Sequence, residues 1–262
     1  MKKIAFLAFI IFYIIHSTNA QQKLAKLHAP AFTYGEELTY KIKYSMYFNM
    51  PVGNVIFSVE EKPAKVAGKP HFHVKAQGNT AKFFDPFFKV RDRYESYMDV
   101  VDLTPSKAVR VLREGGYKKD EYLTFDKEQQ QVTNVRKEVS YDIPQETFDM
   151  LGAIYYVRNF DFESAQPGDS LTLNTFISDT TYLVGLRYLS KSKMKTAFGK
   201  VECLEIEPIL IVGRVFKTDN PMKLWVTADK NKVPVRIESG ISVGAIVAEL
   251  TDYKGLKYTS FQ

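Results

Sequence analysis

One cysteine, one tryptophan and no histidine beyond position 73 set the first limits on this 262-residue chain. With Cys203 alone, neither an intramolecular disulfide nor a thiolate metal cluster can form. The sequence Gly240-Ile241-Ser242-Val243-Gly244 spells the G-x-S-x-G of a hydrolase elbow, but that fold places its histidine after the serine, and here none follows. Charge of one sign is also scarce. The formal balance of +6 falls to +4 once Lys2 and Lys3 are set aside, and the remainder is spread along the chain. That excludes a strong nucleic-acid footprint and leaves a weak preference for anionic headgroups or acidic glycans.

Long apolar runs are missing everywhere except the start. Lys2-Lys3, the apolar stretch Ile4 to Ile15 and the ending Thr18-Asn19-Ala20 read as a secretory signal peptide over 1–20, with the mature chain beginning near Gln21. The run is shorter than the roughly 20 residues a membrane span needs, and no later segment supplies one. The expected location is the periplasm or the periphery of the outer membrane. An exported chain without bridges needs a large core, and a 45% hydrophobic, 14% aromatic composition can build one.

What is present is mostly alternation. Leu38, Tyr40, Ile42, Tyr44, Met46 and Phe48 alternate with more polar neighbours, as a half-buried antiparallel strand requires. Asn49 to Gly53 reads as a turn, and Val55, Phe57 and Val59 as a second strand. Pro63 to Pro70 reads as a loop, and Phe72, Val74 and Ala76 as the inner face of a third strand. Val90 to Asp99, then Lys107 to Arg113 and Tyr117 to Phe125 around Glu114-Gly115-Gly116, and Val132 to Arg136 follow. The second half adds Leu171 to Ile177, Tyr182 to Leu189, Lys193 to Phe198, Val201 to Ile211, Met222 to Ala228, Val233 to Glu238 and Ala245 to Tyr253, with Pro234 marking a strand start or an edge. One segment has helical spacing instead: Phe148, Leu151 and Tyr155, flanked by Met150, Ile154 and Val157, with Thr147 as N-cap and Arg158 at the negative end of the dipole. The expected fold is all-β: an antiparallel barrel, half-barrel or sandwich of about a dozen strands, with one central helix at about Thr147–Asn159. Residues 21–262 are expected to form a single domain with its core over about 32–255.

Laid out this way, the chain resembles a family of exported bacterial proteins known only as a domain of unknown function. The resemblance rests on Gly35-Glu36-Glu37-Leu38-Thr39-Tyr40, Asp92-Arg93-Tyr94-Glu95-Ser96-Tyr97, Asp149 to Arg158, Cys203 to Pro208, Leu224 to Asp229 with Pro234-Val235, and Ile246 to Leu250. It implies a signal peptide followed by an all-antiparallel β domain, and no activity. A more distant likeness of layout is to periplasmic lipoprotein carriers, whose curved sheet holds acyl chains in an apolar concavity; fold analogy alone does not carry function.

Candidate sites are few. His71 and His73 share one face of a strand at a spacing that metals use, but Lys75 and Gln77 continue that face and make it a solvated one. Asp92, Glu95 and Asp99 offer carboxylates for glycoside hydrolysis, yet Asp92 and Glu95 point to opposite faces, and Arg91 and Arg93 suit them as ion-pair partners. Cys203 reads as an inert buried thiol. Glu205 and Glu207 share its strand parity, which calls for a bulge or strand end nearby.

The aromatics carry more. Phe83, Phe84, Phe87 and Phe88 bracket Asp85-Pro86 in a turn, where large apolar residues are normally avoided; they read as a cap on the core, a lip of a cavity, or a tip that touches membrane or partner. Trp225 lies opposite Met222, Leu224 and Val226 in parity, and Tyr40 and Tyr44 sit on the apolar strand face. These seven residues are the expected ligand-binding set, with no catalytic residue, metal or cofactor assigned. The expected function is a cell-envelope protein binding a lipid-like or hydrophobic ligand in an apolar concavity. The alternatives are a structural or adaptor protein of the envelope, and a carbohydrate-active enzyme. The partner expected is a lipid or an envelope protein, not nucleic acid.

Overall fold

The computed structural model describes residues 29–46, 49–210 and 222–259, with only the backbone of Ile209 and Leu210. The signal-peptide reading of 1–20 and the readings of Tyr47, Phe48 and Ile211 therefore lie outside the described residues. In chain order the elements are β1 (Glu37–Ser45), β2 (Asn49–Val59), β3 (Ala64–Val66), β4 (Lys69–Thr80), β5 (Arg91–Asp99), β6 (Pro105–Glu114), β7 (Tyr117–Asp126), β8 (Gln131–Asn134), β9 (Val139–Asp142) and β10 (Thr147–Phe148). Helix α1 (Met150–Val157) follows, and then β11 (Ser170–Ile177), β12 (Thr180–Thr196), β13 (Gly199–Leu210), β14 (Met222–Thr227), β15 (Pro234–Gly240) and β16 (Ala245–Lys254).

The strands make one sheet, ordered β10-β11-β12-β13-β14-β15-β16-β1-β2-β4-β5-β6-β7-β8-β9, with β3 added beside β4. Pairing is antiparallel except between β10 and β11. The sheet is curled and its terminal strands do not pair, so it is barrel-like but unclosed. Side chains join the seam instead. Phe176 of β11 is buried with Leu123, Phe125 and Val132 of β7 and β8, and its ring lies 5.5 Å from that of Tyr141 on β9. At the β11–β12 turn, the Ser178 hydroxyl accepts from Arg110 at 2.8 Å and Lys119 at 3.0 Å, and Asp179 pairs with Lys137.

The concave side is occupied. Phe72, Val74, Ala76 and Met98 of β4 and β5 face Leu171, Leu173, Leu186 and Tyr188 of β11 and β12, and α1 places Leu151, Tyr155 and Tyr156 between them. Phe32, from the segment before β1, packs edge-on against Phe72 at 5.1 Å and Tyr155 at 5.0 Å. A second cluster holds Leu38, Tyr40, Val201, Cys203, Val235 and Leu250.

The helix differs from its sequence expectation in length and cap. It starts at Met150, not near Thr147, because Asp149 is the N-cap: its carboxylate accepts from the Leu151 and Gly152 amides, each at 3.0 Å. Thr147 lies in β10 and bonds Pro144 O at 2.7 Å. At the other end Asn159 takes over capping, donating to the carbonyls of Tyr155 and Tyr156 at 2.9 and 3.0 Å while its Oδ1 accepts from Ala31 N.

Four strand boundaries also change. Asn49 to Gly53 begins β2 and is not a turn; Pro51 is tolerated there because β4 pairs with β2 only from Gly53 onward. The loop Pro63 to Pro70 contains β3, a short strand added to the edge of β4. Tyr182–Leu189 and Lys193–Thr196 belong to one strand, β12, with Ala197 and Phe198 in the turn that follows; cross-strand pairs such as Lys191–Glu202 at 2.8 Å carry it through its polar middle. The bulge anticipated near Cys203 lies on this facing strand, between Tyr188 and Ser190; on β13, Val201 and Cys203 enter one cluster, while Leu204 and Ile206, of the other parity, enter the other. Finally, β9 carries too little apolar pattern to read as a strand, and pairs with β8.

Candidate functional site

An internal ligand site is the first arrangement to test, and among the described residues the packing around α1 leaves little room for one. An open, polar-lined hollow beside Glu60, Glu61, Lys62 and His73 measures about 430 Å³; among the described residues, the inner cavity between Tyr94, Arg110, Glu121, Asp149 and Phe176 measures about 20 Å³. That holds a water, whereas small-molecule pockets run to roughly 300–1,000 Å³. Helix α1 and the edge-on rings of Phe32, Phe72 and Tyr155 pack inside the concavity in which the sequence expectation placed an apolar ligand. Tyr40 and Trp225, two of the expected lining residues, lie in and beside the second cluster. Tyr40 is 2% exposed, lies edge-on to Phe57 and donates its hydroxyl to Pro234 O at 2.7 Å. Trp225 does point away from Leu224 and Val226, into the margin of the second cluster, with the Arg236 guanidinium 5.7 Å over its ring.

The polar candidates resolve into paired charges. His71 is buried, with Nδ1 on Lys69 O and Nε2 on Ser106 Oγ, so it cannot join His73 around a metal. His73 stacks on Tyr97 at 4.1 Å and bonds Glu95 at 2.9 Å; Tyr97 and Arg93 reach the same carboxylate at 3.2 Å. The hydrogen bond from His73 is the chief reason that the Glu95 pKa is lowered, which holds this carboxylate in its ionised, paired state. Asp92 accepts from Arg113 N, and Asp99 caps Val101 N. The Gly240–Gly244 motif is a hairpin turn closed by Ile241 N on Gly244 O, and not a strand-to-helix elbow. Cys203 is fully buried and its thiol is pushed up to about 11 by burial.

What remains is one end of the sheet. Strand direction brings the turns β15–β16, β1–β2, β4–β5, β6–β7 and β8–β9 to that end. Met46, Phe83, Phe87, Phe88, Tyr117, Val135, Val139, Ile241 and Val243 are all exposed there, whereas Val101 marks the opposite end. Hydrogen bonds tie the turns together: Ala81 N to Val52 O and Gly115 N to Lys89 O, both 2.8 Å, and the Tyr44 hydroxyl to Val243 O at 3.0 Å.

At its centre stands the Phe-rich turn. Phe83 and Phe87 are 76% and 77% exposed, yet the turn beneath them is braced. Asp85 accepts from the Thr80 hydroxyl at 2.7 Å and takes both Arg91 terminal nitrogens at 3.1 and 2.5 Å, and Thr80 Oγ1 accepts from Val90 N at 3.0 Å. The hydrogen bond from Arg91, with that from Thr80, keeps the Asp85 carboxyl below its usual range. Phe88 lies over Gly115, where a β-carbon would meet its ring at 3.0 Å. Thus Phe83, Phe84, Phe87, Phe88 and Tyr44 gather at one end of the sheet. Sequence reasoning missed the other turns of this rim, because strand order cannot be read from alternation.

Comparison with known proteins places the fold. The chain belongs to the DUF3108 family, described as a protein of unknown function, and matches it over residues 39–251. Among solved structures it is similar to a β-barrel-like protein of the DUF1849 domain of unknown function from Brucella abortus: TM-score 0.57, 8% identity, covering 86% of this chain and 99% of that one. Weaker likenesses are to an exported-protein candidate with a YmcC-like fold from Bacteroides fragilis (TM-score 0.41, 11% identity, 88% of this chain and 100% of that one) and a lipoprotein candidate from Parabacteroides distasonis (TM-score 0.36, 10% identity, 88% and 99%). No curated protein matches.

Proposed function

We propose that this is an exported cell-envelope protein, periplasmic or peripheral to the outer membrane, that works by recognition and not by catalysis. It engages a hydrophobic partner through the turn-bearing end of its sheet. The observation that carries this reading is the exposure of Phe83 and Phe87 on a turn whose Asp85 is locked to Thr80 and Arg91. A turn that merely capped the core would bury its rings. Exposed aromatics on a braced turn suit binding, because little conformational freedom is lost when they are covered. Export rests on the leader read from residues 1–20, and one domain over 21–262 rests on the single continuous sheet.

The test is cell fractionation of the chain and its Phe83→Ser, Phe87→Ser double variant. The native chain is expected in the envelope pellet and the double variant in the soluble fraction. A Val101→Ser variant, altered at the opposite end, should behave as the native chain. Equal distribution of native chain and double variant overturns the proposal.

A further inference from the structure

The tip of the β4–β5 turn has a symmetric chemistry: Lys82-Phe83-Phe84-Asp85-Pro86-Phe87-Phe88-Lys89. Resting on the recognition reading above, we propose that this tip inserts into the surface of a bilayer containing anionic lipid. The Phe rings would enter the headgroup–acyl boundary, with the two lysines on the phosphates.

Four observations support a bilayer over a protein groove. The rings form one contiguous surface: Phe83 meets Phe84 at 5.6 Å, Phe83 meets Phe87 at 6.4 Å, and Phe84 meets Phe87 at 6.5 Å. Lys82 and Lys89 flank them, both exposed and, among the described residues, in no ion pair. Lysine is depleted at the cores of protein interfaces, but beside membrane-seated rings it runs its stem along apolar surface and leaves its ammonium among headgroups. The one acid of the eight-residue tip, Asp85, is paired from below with Arg91 at 2.5 Å, so its charge is balanced before it meets an anionic surface. The turn also satisfies backbone donors internally: Phe84 N bonds Ala81 O, and Phe87 N and Phe88 N both bond Phe84 O, at 2.8–2.9 Å. An inserting loop needs this, because an unpaired amide is costly in hydrocarbon. Apolar insertion alone gives only marginal attachment, and a second, electrostatic signal is what makes it hold; here both sit within eight residues.

The experiment is vesicle co-sedimentation of the chain as exported and purified without detergent. The vesicles are pure phosphatidylcholine, or phosphatidylcholine with roughly 30 per cent phosphatidylglycerol. The native chain should prefer the anionic vesicles, and added salt should weaken that preference. Phe83→Ser with Phe87→Ser should bind at least about tenfold more weakly to both vesicle types. Lys82→Gln with Lys89→Gln should lose the preference for anionic vesicles while keeping the weak binding. Thermal unfolding checks that each variant folds as the native chain does. Absence of native binding to either vesicle, or binding unaffected by the paired Phe substitutions, overturns the inference. If vesicles are ignored while the same Phe substitutions release the chain from the envelope pellet in cells, the occupant is a protein. The recognition reading then survives and the lipid does not.

Discussion

Arg158 and Glu36 form a two-armed ion pair, Nη1 to Oε1 at 2.6 Å and Nη2 to Oε2 at 2.8 Å, with side chains 2% and 0% exposed. The same guanidinium donates from Nε and Nη2 to Asn231 O at 3.2 and 3.0 Å, and lies over the rings of Phe32 and Tyr155. Burial works against its charge, but the Glu36 carboxylate beside it prevails and the Arg158 pKa is raised. One residue at the helix C-terminus thus holds the start of β1 and the β14–β15 turn against α1.

Removing one partner should cost more than removing both. Arg158→Met leaves a carboxylate buried without compensation, and such losses run to about 3–5 kcal/mol. A Glu36→Leu, Arg158→Met chain removes both charges and should recover much of that. Urea midpoints of the three proteins check this. An Arg158→Met midpoint equal to the native one would show that the pair does not hold these segments together.

The pair also shows where sequence reading stops. Alternation made β1, β4 and the β6–β7 hairpin legible, because period two appears in one strand at a time. The partners of a buried charge, 122 residues apart, leave no such mark. Arg158 was legible only as a cation at a helix end, and Glu36 only as part of a strand entry. The helix was found from its spacing, but Thr147 and Asp149 both suit a cap, and only the Leu151 and Gly152 amides distinguish them. The Phe-rich turn stood out because it violates turn composition. Whether a cavity lay behind it depended on where α1 packs, a tertiary fact with no periodic trace.

Asp149 should make stability depend on pH. Burial raises its pKa to about 6, against the opposing hydrogen bonds from Ser96 and the helix amides. An unfolded aspartate titrates at about 3.9. Between these values the folded chain holds a proton that the unfolded chain has released. The contribution is therefore fully present below about pH 4 and lost as pH rises through about 6. Asn caps as well as Asp and carries no charge. Relative to the native chain, Asp149→Asn should gain up to about 2–3 kcal/mol between pH 4 and 7 and then level off. Urea midpoints of both proteins across that range test it, and a pH-independent difference would uncouple Asp149 ionisation from folding.

Cys203 should report global opening. It is fully buried and its thiol titrates near 11, so the native chain presents almost no thiolate at pH 8. A disulfide reagent such as dithionitrobenzoate should label it stoichiometrically in guanidinium and only at the unfolding rate in buffer. Rapid labelling in buffer would mean that the second cluster opens locally.

The Phe-rich turn should owe its shape to Asp85, not to its rings. With Phe83 and Phe87 so exposed, replacing both by Ser removes little buried surface and should move stability by no more than about 0.5 kcal/mol. Asp85→Ala deletes the acceptor shared by Thr80 and Arg91, leaving the turn with its backbone bonds alone. The rest of the sheet does not depend on that carboxylate, so the unfolding midpoint should change little while the tip loosens. Chymotrypsin reads the difference, since Phe83, Phe84, Phe87 and Phe88 are its preferred kind of residue, but a braced turn presents them poorly as extended substrate. Limited digestion should cut the Asp85→Ala chain between β4 and β5 well before the native one, leaving two fragments associated through the sheet. If the two proteins are cut at the same rate, the brace does not set the loop, and the preorganised presentation of the rings loses its basis.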